Sequence, residues 1–118
     1  MEAIRIRRKE RPDLIFAGTR LGEVCGLDPK PAGPRIAAAL YRTAVGAYVL
    51  AVEANVPGRP ELDLCTAVAF AGAADIGGFL AAEGFWLRGT VGALLELAAL
   101  RDEGVRRACR TAGLPRAA

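Results

Sequence analysis

The stretch LYRTAVGAYVLAVE, residues 40–53, alternates apolar and other side chains on both sides of a glycine-bearing break. Period-two alternation around a short turn is the pattern of an antiparallel hairpin. Face matching then sets the register. Ile36, Ala38 and Leu40 share a face with Tyr48, Leu50, Val52 and Ala54 only if even positions pair with even positions. A two-residue turn would pair even with odd and turn one strand inside out. A three-residue loop, Ala44-Val45-Gly46, keeps the apolar sets together and puts glycine where such loops take a left-handed residue. Leu40 should then lie opposite Leu50, and Tyr41 opposite Val49.

The hairpin also sets a problem, because its second face is apolar at one end. Near the turn it carries Ala39, Tyr41, Val49 and Ala51, to which a neighbouring strand adds Ala67 and Ala69. Toward the other end it becomes Glu53, Asn55, Glu61 and Asp63. Apolar patches of that size normally mark contact sites. Two covers suggest themselves: an arginine-rich C-terminal helix folding back, or a second protein chain.

The flanking segments extend the sheet. AIRIRRK turns Ile4 and Ile6 one way and Arg5 and Arg7 the other, as a half-buried strand with a charged outer face does at a sheet edge. DLIFAGTRLGEVC continues as an extended segment, with Gly18 and Gly22 at bulges or a bend. Residues 18–26 also admit a short helix, since Gly18, Gly22 and Gly26 fall at GxxxG spacing. GLDPKPAGP is a loop. ELDLCTAVAF is a strand with Leu62, Leu64, Val68 and Phe70 on one face and Glu61 and Asp63 on the other.

The remainder reads as helix. GAADIGGFLAAEG groups Ile76, Phe79 and Leu80, with Asp75 in the first turn and Gly84 as a stop. TVGALLELAALRDEG takes Thr90 as N-cap, sets Val91, Leu94, Leu95 and Ala98 in one stripe, and closes at Gly104. VRRACRTAG forms a last short helix with Val105, Cys109 and Ala112 inward. The fold class is therefore α+β: one domain over residues 1–118, with an antiparallel meander of four to five strands and two to three C-terminal helices on one face.

Composition excludes several functions. There is no histidine, which removes the commonest general base and metal ligand. Cys25, Cys65 and Cys109 are odd in number and widely spaced, against a disulfide framework or a CxxC site. They read as small hydrophobes. Glu53, Glu61 and Asp63 form an acidic rim, and nothing near them would position a substrate. AGAADIGGF lacks the Lys-Ser/Thr ending of a phosphate loop. Trp86 reads as an anchor between helices. No run is long enough to span a membrane, and no apolar segment follows the basic N-terminus as in a signal peptide. These features indicate a soluble cytoplasmic protein, not an enzyme, with no cofactor or metal.

What remains is surface. The net charge is +3, with basic residues gathered at both ends of the chain. Arg5 and Arg7 share a strand face, and Arg106, Arg107 and Arg110 share a helical arc. The expectation is a small interaction module, self-associating as a homodimer or binding another protein through Tyr41, Val49, Ala51 and Ala67. The alternative is a nucleic-acid-binding regulator that uses Arg5, Arg7, Arg106, Arg107 and Arg110 on phosphates.

Overall fold

A computed structural model describes residues 2–27, 35–83, 87–111 and 114. Five strands, β1 (Glu2–Arg8), β2 (Arg11–Leu27), β3 (Arg35–Thr43), β4 (Tyr48–Asn55) and β5 (Leu64–Phe70), form one antiparallel meander in sequence order. Three helices follow: α1 (Ile76–Glu83), α2 (Arg88–Ala99) and α3 (Glu103–Thr111). The β3–β4 register is the one face matching requires, with Leu40 opposite Leu50 and Tyr41 opposite Val49. Gly46 closes the three-residue loop at a φ of 85°, a backbone state that glycine adopts without a side-chain clash.

Residues 18–26 are strand, so the helical alternative is excluded. β2 runs for 17 residues and bends at a bulge between Arg20 and Gly22. The bulge turns Leu21 into the helix-side core and leaves Gly22 beneath Leu94 and Leu97 of α2. At Gly18 the chain passes so close to its neighbour that an added Cβ would lie 2.5 Å from the Arg42 carbonyl oxygen. The two glycines thus let a long strand bend and let a helix lie close upon it.

One face carries the main core. Ile36, Leu40, Tyr48, Leu50 and Val52 meet Ile76, Leu80, Val91, Leu94, Leu95 and Val105 of the helices. Leu64 and Phe70 pack against it half-buried, and Phe70 stands edge-on to Phe79 of α1 at 6.0 Å.

Three boundaries depart from the sequence expectation. Pro60–Leu62 forms one 3-10 turn before β5, so Glu61 leaves the strand face and bonds Arg59. Thr90 is not an N-cap, because α2 already begins at Arg88, after the buried Leu87. The helix expected to run to Gly104 stops at Ala99, and α3 starts at Glu103. Asp102 explains that break. Its carboxylate accepts the Val105 amide at 3.0 Å, capping α3, and the Tyr48 hydroxyl at 2.6 Å. The expected inward set of α3 shifts to Val105 and Ala108, with Cys109 half-buried. Trp86, Gly84, Ala112 and the loop 28–34 lie outside the described residues, as does the side chain of Leu62.

Candidate functional site

The registers map the second face row by row. Glu23, Ala39, Ala51 and Ala67 lie side by side across β2 to β5, and Cys25, Ala37, Glu53 and Cys65 form the next row. Arg20, Tyr41, Val49 and Ala69 form the row on the other side. Ala39, Val49 and Ala67 are buried, yet they do not belong to the helix-side core.

The cover is neither of the two the sequence suggested. Beyond its bulge, β2 carries β1 over this face, and the sheet curls into a half-barrel. Pairing of Ile4 with Phe16 and Ile6 with Leu14 puts all four on the inward row, and all are half-buried. The Phe16 ring meets Tyr41 edge-on at 5.6 Å. At one end the curl reaches β5: the Lys9 amide donates to the Cys65 carbonyl at 2.9 Å, and the Cys65 thiol donates to the Arg7 carbonyl at 3.4 Å. Strands β1 and β5 thus face each other across a seam.

Beneath that seam the alanine floor is too shallow to fill the space. A cavity of about 440 Å³ remains, lined by Ala37, Ala39, Ala51, Tyr41, Glu53 and Cys65, with residues 5–7 of β1 on its other side. Small side chains leave a void where leucine or valine would interdigitate. Glu23 at the edge is paired with Arg20 at 2.7 Å, whereas Glu53 forms no ion pair among the described residues.

The four expected interface residues therefore fall in two groups. Val49 and Ala67 are each only 2% exposed within the single chain, while Tyr41 and Ala51 border the cavity. The five expected phosphate-binding arginines are not gathered in one element: β1 carries two and α3 three. Arg5 bonds Asp13, Arg106 bonds the Ala99 carbonyl, and Arg107 lies 3.6 Å from Glu103. The acidic rim is dispersed too, since Asp63 accepts the Val56 amide and Glu61 turns to Arg59.

A polar cluster that no sequence motif marks centres on Asp102. Asp102 is the only buried charged residue among those described, and it also accepts Arg42 at 2.7 Å. Burial alone would raise its carboxyl, but the Tyr48 hydroxyl, the Val105 amide and Arg42 together outweigh that and hold it below the ordinary aspartate value. Burial, then the bond to Asp102, pushes the Tyr48 phenol up to about 12. An aspartate just ahead of an amphipathic stretch was the available signal. The cluster fastens α3 to the sheet, and every buried polar side-chain atom in it is satisfied.

Compared with protein-family models, with curated proteins and with solved structures, the chain finds no match in any of the three.

Proposed function

We propose that this chain is a small non-enzymatic interaction module that binds another protein through the concave side of its half-barrel. The observation that carries the reading is the alanine-floored cavity of about 440 Å³ reached between β1 and β5. Ligand sites are concave and combine apolar walls with a few placed polar groups, and here the alanine floor is bordered by Tyr41, Glu53, Cys65 and the arginines of β1. Flat pairing of two copies through Tyr41, Val49, Ala51 and Ala67 is less favoured, because Val49 and Ala67 already have their cover. The nucleic-acid reading is weakened in the same way, because three of its five arginines are engaged within the chain.

The reading is tested by filling the cavity. Ala51→Leu should leave the fold intact and abolish retention of partner proteins that the parent retains. Equal retention by the two proteins contradicts it. Light scattering on the same samples reports whether the partner is a second copy.

A further inference from the structure

Resting on that reading, we propose that the β1–β2 hairpin is an autoinhibitory flap, which pivots at Gly18, fills the concave face in place of the partner, and swings away when the partner seats. The pivot is anchored on one side only. Pairing of β2 with β3 begins at Gly18 opposite Thr43, and the Ala17 carbonyl accepts the Ala44 amide at 2.8 Å. Before that point β2 pairs with β1 alone. An added Cβ at Gly18 would stand 2.5 Å from the Arg42 carbonyl oxygen and 3.1 Å from the Phe16 ring, so glycine is what lets the hairpin fold back here. Folded back, it crosses the floor from Tyr41, which the Phe16 ring meets, to Cys65, which holds the tip.

The flap is weakly seated. From Glu2 to Ala17 not one residue is buried, although Ile4, Ile6, Leu14 and Phe16 all face inward. Beneath its middle, residues 5–7 stand over the void. Its tip is held by the Lys9 amide on the Cys65 carbonyl and by the Cys65 thiol, a weak donor, on the Arg7 carbonyl. On the other side of the sheet, Leu40, Leu50, Leu94 and Leu95 are fully buried. Segments with few buried apolar contacts open at a fraction of the global unfolding free energy. The flap therefore opens while β3, β4 and β5 stay folded under their helices.

Opening uncovers Ala39, Val49 and Ala67, which are buried in the closed form, and joins them to Ala51 as one apolar floor. A partner competes for that floor by offering apolar side chains in place of Ile4, Ile6, Leu14 and Phe16. A ligand that needs the open form has its apparent affinity reduced by the fraction of molecules that are open. The seating of the flap thus sets the affinity of the site.

The test uses the full chain and its own cysteines. Cys25 and Cys65 lie in one row of the concave face, but Cys25 is exposed and Cys65 is half-buried under the flap tip. Iodoacetamide labelling, read at each cysteine by mass spectrometry, should modify Cys25 fast and Cys65 slowly, with little dependence on urea below the unfolding transition. Phe16→Ala should speed Cys65 labelling about three- to tenfold and leave Cys25 unchanged. Ile6→Ala carries the same expectation if that variant fails to fold. Leu50→Ala, which weakens the open and closed forms alike, should leave Cys65 labelling unchanged. Cys65 labelling as fast as Cys25, or speeded by Leu50→Ala and by urea as global unfolding is, overturns the flap. A fluorescent peptide of residues 2–17, added to the full chain, then reports the floor. It should bind saturably, and about three- to tenfold more tightly to Phe16→Ala than to the parent. No peptide binding to either protein at millimolar concentration overturns autoinhibition, whereas equal partner retention by Ala51→Leu overturns the concave-face reading itself.

Discussion

The helix-side face and the concave face belong to the same five strands, yet they fill their space differently. On the helix side, Leu40 and Leu50 are fully buried against Leu94 and Leu95, and the layer is continuous. On the concave side the corresponding positions are Ala39, Ala51 and Ala67, and the covering hairpin leaves about 440 Å³ open. Burial alone does not distinguish the two faces, since Val49 is as inaccessible as Val52. Side-chain volume does. One face is built for stability, and the other leaves room.

The largest expected effect lies on the packed face. Leu50→Ala should cost about 2–5 kcal/mol in denaturant unfolding, because it leaves a cavity among side chains that cannot collapse onto it. A loss below about 0.5 kcal/mol would mean that the faces are assigned wrongly.

Next comes the polar tie that holds α3 on that face. Asp102→Ala removes a helix cap and leaves the buried Tyr48 hydroxyl without its acceptor, for about 2–4 kcal/mol together. The Arg42 side chain is 49% exposed and adds little to this. The tie also sets the pH limits. Because the folded Asp102 carboxyl titrates below its ordinary value, its contribution is present above that value and is lost as pH falls through the folded one. Tyr48 is shifted the other way, so its contribution is intact below pH 10 and lost as pH rises through about 12. An Asp102→Asn variant whose stability falls as steeply in acid as the parent's would remove Asp102 from this role.

A matched pair of insertions sharpens the contrast. Ala38→Leu, in the filled core, should cost about 1–3 kcal/mol through overpacking. Ala51→Leu, facing the void, should change stability by less than about 1 kcal/mol in either direction. Equal costs at the two positions would show that the concave side is as tightly filled as the other.

Much of this was legible in the sequence, for reasons that differ between elements. The β3–β4 register followed from alternation and one glycine, because a one-residue slip would have exposed Leu40 or Leu50. The α2 stripe followed from helical spacing. The cover of the second face did not emerge, although Ile4, Ile6, Leu14 and Phe16 offered an apolar row of matching period. Whether that row faces the same sheet or another partner depends on the bend at Gly18 and the Leu21–Gly22 bulge, and a bulge reverses facing without altering composition. The α2–α3 break was hidden similarly, since Asp102 and Glu103 resemble an ordinary solvated end until Tyr48 and Arg42 arrive from strands far away in sequence. The cavity left no sequence signal beyond alanines, which serve equally for close packing.

The central claim is that the second face is covered from within by the β1–β2 hairpin. NMR of the dilute protein, at a concentration where light scattering gives a single chain, tests it most directly. The account predicts nuclear Overhauser contacts between the Phe16 and Tyr41 rings, together with slow exchange of the Lys9 amide bonded to the Cys65 carbonyl. A Lys9 amide exchanging as in an unfolded chain, with no contact between the two rings, would contradict it.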